Sequence, residues 1–308
     1  MRNLNRRDVI KGVASAASLG VLGQGVAEET ALRGNIKQSI AFWCFANSEE
    51  KWSLEQTCEA ARALGCGSVE LLRREEQLAL VKEQGLECAM VSIDPGPGFP
   101  FIKGYNNPAN WEMLVRVTKA AIDLAAKYGA PNTICFTGFS AKDPADPNSP
   151  LFSLEEGAEN CVQGLKKVIG YAEKKGVNLC LEPLNTRDDT HPMKGHPGYQ
   201  GDRLDYCMDI IRRVNSERMK VLFDIYHTQV MDGDVIRRLG ENIDFIGHVH
   251  TAGNPGRGEL VADEQEIDYA NVMKALVKLG YDGFVGHEYI PTGSVMQGLR
   301  EAVRVCDA

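Results

Sequence analysis

Four apolar runs of strand length each carry an acid or a histidine near the C-terminal end. They are N-L-C-L-E-P-L-N (178–185), V-L-F-D-I-Y-H (221–227), F-I-G-H-V-H-T (245–251) and F-V-G-H-E-Y-I (284–290). The residues in question are Glu182, Asp224, His250 and Glu288. A carboxylate inside an apolar strand costs roughly several kcal/mol if it stays unpaired. A neighbouring Lys, Arg or backbone amide could satisfy any one of them. Four in register on successive strands are met most economically by one shared divalent cation. Three carboxylates and one imidazole suit a hard or borderline ion, Mg²⁺ or Mn²⁺ first, with Co²⁺ or Zn²⁺ as further candidates.

Their neighbours extend the pattern. All six histidines lie between His191 and His287, which points to a functional C-terminal half. His248 shares a strand face with His250 and is expected one layer deeper, as support. His227, just past its strand end, could reach a substrate oxygen. His287 has the opposite parity to Glu288 and is expected to face the helix layer. Arg257, in G-N-P-G-R-G (253–258), follows the seventh strand. It could clamp a substrate carboxylate, orient a glutamate or simply be solvated. Asn185 and Tyr226 are further candidates for the mouth of the site.

Such residues need a scaffold that brings distant strand ends together. Strand-like segments fall at 38–45, 68–72, 86–93, 132–138, 178–184, 220–226, 243–251 and 283–290. Several are apolar on both faces, as parallel strands covered by helices are. Helices with caps lie between them. Ser53 to Gln56 and Ser153 to Glu156 both fit a capping box, and Gly65, Gly85, Gly129, Gly176 and Gly280 read as left-handed helix ends. Eight alternations predict a single (β/α)8 TIM barrel over residues 36–308, with its chemistry on the C-terminal rim. An open doubly wound sheet is the competing architecture, but no G-x-G-x-x-G follows Phe45. Two long segments, 94–100 and 187–201, would stand on that rim as lids or as plain surface loops.

Bulk properties narrow the partners. The formal charge of −8 argues against a nucleic-acid or anionic-membrane surface. The nine cysteines contain no C-x-x-C pair and mostly sit in apolar patterns, as small buried hydrophobes do; Cys44 and Cys66 stay open. A small-molecule substrate is the expected partner. No apolar surface stripe marks an interface, so a homo-oligomer stays open. At the N-terminus, N-R-R-D-V-I-K (5–11) and the Gly-, Ala- and Ser-rich stretch after it resemble a twin-arginine export signal over residues 1–27. The resemblance implies the twin-arginine translocation machinery as a partner and a periplasmic location. A basic amphipathic helix belonging to the fold is the plainer alternative.

L-E-P-L-N (181–185), F-D-I-Y-H (223–227), G-H-V-H-T-A-G-N-P-G-R-G-E (247–259) and G-H-E-Y-I-P (286–291) resemble the hydroxypyruvate isomerase branch of the xylose isomerase-like barrel superfamily. The resemblance implies Glu182, Asp224, His250 and Glu288 as metal ligands, with Glu182 and Glu288 doubling as the acid/base pair. His227 and Arg257 match positions that contact substrate or position a glutamate in related sugar epimerases. The implied reaction converts hydroxypyruvate to tartronate semialdehyde through an enediolate. Two departures bear on the substrate. Gln can stand at the position of His250 in bacterial hydroxypyruvate isomerases, whereas ketose 3-epimerases carry His, and an export signal is unexpected for a cytoplasmic enzyme. A ketose 3-epimerase is therefore the nearest alternative, and a non-catalytic envelope sugar-binding protein is an alternative of another class. Endonuclease IV-like nucleases share the barrel but need a multinuclear zinc cluster and a basic surface, which this chain lacks.

Overall fold

The structure is a computed structural model that describes residues 32–261 and 264–308. The proposed export signal lies outside the described residues.

Eight short strands form one parallel sheet: β1 Lys37–Ala41, β2 Ser68–Glu70, β3 Met90–Val91, β4 Asn132–Cys135, β5 Asn178–Leu181, β6 Met219–Asp224, β7 Ile246–Thr251 and β8 Phe284–His287. Their order is β2-β1-β8-β7-β6-β5-β4-β3. Bridges from Ser68 to Glu87 and from Leu72 to Val91 join the two ends. Leu71 N donates to Met90 O and Ser92 N to Leu72 O, each at 2.8 Å. The sheet thus closes into the (β/α)8 barrel, and no long edge is left unpaired.

The helices form because each has one apolar face and a defined stop. In Trp111–Tyr128, Leu114, Thr118, Ala121, Ile122 and Ala125 are buried, and Gly129 ends the helix at φ 77°. Full burial of a side chain such as Ile122 contributes roughly 1.5–3 kcal/mol. Ser53 and Gln56 complete the expected capping box. At Ser153 only half of it forms, the hydroxyl accepting from Glu156 N. Beyond Ser153 the chain forms two helices in succession, Leu154–Lys166 and Ile169–Lys175. Among the described residues no helix is long and apolar enough to cross a membrane.

Two differences from the expected strands shape the site. The first strand stops at Ala41, and Phe42–Ala46 turns into a short helix. The sixth stops at Asp224, which caps the helix Ile225–Met231 through a bond from His227 N to Oδ1 at 3.0 Å. Register matters as well. Val221 pairs with Ile246 but Leu222 with His248, so β7 carries one extra residue there. That shift sets Asp224 opposite His250. Gly247 occupies the skipped position, where a Cβ would come within 2.7 Å of Cys180 Sγ.

Candidate active site

Glu182 is the first residue beyond β5, and its N–H bonds Cys135 O on β4. Asp224 ends β6, His250 lies in β7, and Glu288 is the first residue beyond β8, tied by its N–H to Thr251 O. Each of these residues is at most 5 % exposed. One ligand atom from each of the four falls within 4.8 Å of every other. The four strand ends therefore do converge.

The contacts within the cluster are uneven. Glu288 is held from three sides: Trp43 Nε1 donates to Oε1 at 2.6 Å, Arg257 Nη2 to Oε2 at 2.6 Å, and His250 Nδ1 stands 2.9 Å from Oε2. Glu182 Oε1 lies 3.7 Å from His250 Nδ1, and Arg257 Nη2 lies 3.5 Å from Asp224 Oδ2. Glu182 Oε1, Asp224 Oδ2 and His250 Nδ1 are buried without an aligned hydrogen-bond partner. These are three inward-facing donor atoms from three strand ends.

Such a set fits a cation of the kind expected. Three buried carboxylates face one permanently charged group, Arg257, so a divalent ion would bring the cluster to neutrality. The electrostatics separate the two glutamates. Burial pushes the Glu182 carboxyl up to about 7, with the Glu288 and Asp224 charges adding to it against His250. Burial acts on Glu288 too, but His250 and Arg257 outweigh it and hold the carboxyl down to about 2. Asp224 is raised by burial against the pull of Arg257.

The cluster lies at the floor of a 620 Å³ cavity. Glu182, Glu288, Trp43 and Arg257 are on its wall, and both rim segments contribute to it through Phe99 and His196, with Phe101 just past the first. Phe99 stacks on Phe101 with centroids 5.3 Å apart, and Phe101 packs on His196 at 4.2 Å. Burial lowers His196 to about 3, so this ring is neutral.

The remaining candidates occupy distinct places. Arg257 is buried at 2 % exposure with φ 54°, a left-handed conformation that costs of order 1–3 kcal/mol outside glycine. Its Nη1 donates to Met193 O at 2.6 Å and its Nη2 to Glu288, which is the geometry of a residue orienting a glutamate. His227 accepts at Nδ1 from Asn185 N at 3.1 Å, leaving Nε2 3.7 Å from Asp224 Oδ2 with no hydrogen-bond partner. Asn185 and Tyr226 both bond Lys194 O and so anchor the 187–201 segment. His287 bonds Gln38 Oε1 at 2.8 Å, and Gln38 bonds Val303 O in the outer helix layer. His248 lies deeper than His250, as parity suggests. All nine cysteines are free and buried, and burial pushes Cys66 up to about 12.

Sequence reasoning passed over Trp43 and Glu70. Trp43 looked like one more apolar residue of a long first strand. Glu70 carried the same mark as Glu182, an acid in an apolar strand, S-V-E at 68–70. It is fully buried on β2, and its Oε1 accepts from both His248 Nε2 and His250 Nε2 at 2.8 Å. Burial would raise this carboxyl, but the two imidazoles hold it below the ordinary range.

Comparison with known proteins agrees with the fold. Residues 58–308 match the family model described as xylose isomerase-like TIM barrel. The chain is 39 % identical over 128 residues to the 2-oxo-tetronate isomerase of Cupriavidus necator, covering 42 % of this chain and 46 % of that protein. It is 32 % identical over 219 residues to the putative hydroxypyruvate isomerase of Homo sapiens, covering 71 % of this chain and 75 % of that one. Among solved structures it resembles an AP endonuclease, family 2, from Brucella melitensis, with TM-score 0.69 and 24 % identity over 86 % of this chain and 97 % of that one. An L-ribulose 3-epimerase superposes with TM-score 0.66 at 18 % identity, over 87 % and 92 % of the two chains. At those identities the two structural likenesses speak for the fold alone. With four fifths of its length matched by one family model and its barrel closed, the chain belongs to the xylose isomerase-like TIM barrel family.

Proposed function

We propose that this chain is a metal-dependent isomerase of a small α-hydroxycarbonyl acid, with hydroxypyruvate to tartronate semialdehyde as the named case. The observation that carries the reading is the pair Glu182 and Glu288. Both border one cavity, in one cluster, with carboxyls displaced in opposite directions. Glu182, Asp224, His250 and Glu288 would hold Mg²⁺ or Mn²⁺. Bound there, the ion would supply a Lewis acid for the carbonyl and the adjacent hydroxyl.

The chain's own residues do the rest. Glu182, on the cavity wall with an unpartnered oxygen, takes the carbon-bound proton from the hydroxymethyl carbon. A proton is returned to the neighbouring carbon through Glu288, which is ionised at rest and is supplied by transfer of the proton that Glu182 took, while the hydroxyl proton moves from one oxygen to the other, so substrate formula and enzyme are both unchanged. Trp43 and Arg257 hold Glu288 in place. His227 Nε2 is a buried, unpartnered donor 3.7 Å from Asp224 Oδ2 and is assigned to a substrate oxygen at that edge of the cluster. Phe99 and Phe101 give the cavity an apolar wall.

An acid substrate needs a cation on the wall. Of the two arginines there, Arg257 is committed to Glu288 and Met193 O. Arg73 has only a 3.9 Å ion pair with Asp94 in its way and is assigned the substrate carboxylate. The names of the relatives, 2-oxo-tetronate isomerase and hydroxypyruvate isomerase, support an acid of this class.

A ketose 3-epimerase is the second reading, favoured by the 620 Å³ of space, which is generous for a three-carbon acid. Metal analysis and NMR in deuterated water separate the two. Hydroxypyruvate should be consumed with deuterium entering tartronate semialdehyde. Exchange into neutral ketoses alone would favour the epimerase, and no exchange into any compound would remove both. Export through the twin-arginine pathway, inferred from residues 5–11, is tested by fractionating cells with and without Arg6→Lys and Arg7→Lys.

A further inference from the structure

The Glu70 carboxylate sits beneath the metal-ligand cluster, fully buried and away from the cavity wall. Its Oε1 accepts from Nε2 of His248 and Nε2 of His250, both at 2.8 Å. The two rings stand at 89° with centroids 4.9 Å apart, so neither can turn without breaking its bond. Above the pair, a Cβ on Gly286 would come within 2.3 Å of Glu70 Oε1 and 2.9 Å of His250 Cδ2. Strands β2, β7 and β8 therefore all make room for one contact. A carboxylate only accepts, so a hydrogen must sit on His250 Nε2. A ligating imidazole is neutral, and in that form Nδ1, the atom nearest Glu182 and Glu288, carries the free lone pair; without an ion the same carboxylates favour a second proton there.

We propose that Glu70 is a positioning residue: it fixes the His250 ring so that Nδ1 is presented as a ligand to the divalent cation shared with Glu182, Asp224 and Glu288. The proposal rests on the metal-site reading above. Outer carboxylates that orient a ligating histidine generally matter about 10- to 100-fold in metal affinity. His248 serves the same end from the other side, by steadying the oxygen that His250 uses.

The test is calorimetric titration of the metal-free full-length protein with Mn²⁺, wild type against Glu70→Gln. The amide keeps the shape, but both imidazole N–H groups share Oε1 while Oε2 has no partner, so the substitution leaves a neutral acceptor and removes the charge that strengthens the hold on His250. The expected result is about 10- to 100-fold weaker Mn²⁺ binding, with turnover recovered in excess Mn²⁺. Equal affinity in the two proteins overturns the role of Glu70 while leaving the metal site standing. Lost turnover at saturating Mn²⁺ with unchanged affinity also overturns it. A wild type that takes up no Mn²⁺ removes the metal-site reading and this proposal with it. Should Glu70→Gln not fold, Gly286→Ala displaces the same carboxylate and is expected to weaken Mn²⁺ similarly. Long-range nitrogen–proton NMR of the Mg²⁺-loaded wild type needs no variant. Hydrogen on His250 Nε2 supports the proposal, and hydrogen on Nδ1 ends it.

Discussion

The indole Nε1 of Trp43 donates to Glu288 Oε1 at 2.6 Å, joining residues 245 positions apart in the chain. The contact exists because β1 pairs with β8 and the short helix after β1 carries Trp43 over the mouth of the barrel. Trp43→Phe keeps an aromatic ring beside Arg257, whose guanidinium lies 5.6 Å from the indole, and removes only the donor. A hydrogen bond to a charged group is worth about 1.5–3 kcal/mol. Steady-state kinetics should record a fall in kcat/KM of about 10- to 100-fold. Unchanged kinetics would mean that Glu288 needs no such support.

Glu182→Gln retains the shape of the side chain and removes its capacity to carry a proton. Loss of a general acid–base group costs about 10²- to 10⁴-fold in rate. Turnover of hydroxypyruvate should fall by that order, with melting temperature close to wild type. Full turnover with metal still bound by elemental analysis would sink the assignment of Glu182 as the proton carrier.

Arg73→Gln tests the class of substrate. A contact made equally in the ground and transition states raises KM and leaves kcat alone. For a carboxylate-bearing substrate KM should rise about 10-fold, and for a neutral ketose it should not move. A KM that responds equally for both would remove Arg73 as the carboxylate partner.

His196 makes stability depend on pH. Burial lowers its pKa from 6.5 to about 3, so between those values the unfolded chain binds a proton that the folded chain does not. The difference in bound protons makes stability rise with pH across this window, so the contribution is lost as pH falls below about 6.5. Near pH 5 the loss amounts to about 2 kcal/mol. Denaturant titrations of wild type and His196→Phe should therefore differ in slope between pH 7 and pH 5, the variant being flatter. Parallel slopes would show that His196 does not titrate in this way.

How much of this was legible in advance follows from the kind of contact involved. Glu182, Asp224, His250 and Glu288 can be named from the sequence because an acid or imidazole in an apolar strand carries a desolvation cost visible in one dimension. Parallel strands in a barrel deliver their C-terminal ends to one rim, so recognising the alternation was enough to bring the four together. Glu70 carried the same cost, but its partners His248 and His250 lie 178 and 180 residues away, across the interior. Strand-end counting does not reveal such a pairing.

The tertiary structure alone decided the rest. The stop of the first strand at Ala41 places Trp43 over Glu288, and the register shift beside Gly247 sets Asp224 against His250. Arg257 read equally well as a clamp, an orienting group or a solvated side chain. It is buried with its guanidinium on Glu288 and Met193 O, the contact that the second of these expects. Desolvation is a property of a residue in its local run of sequence, so composition and spacing reveal it. Hydrogen-bond partnership depends on where the chain returns after the barrel closes, and only the packed structure holds that information.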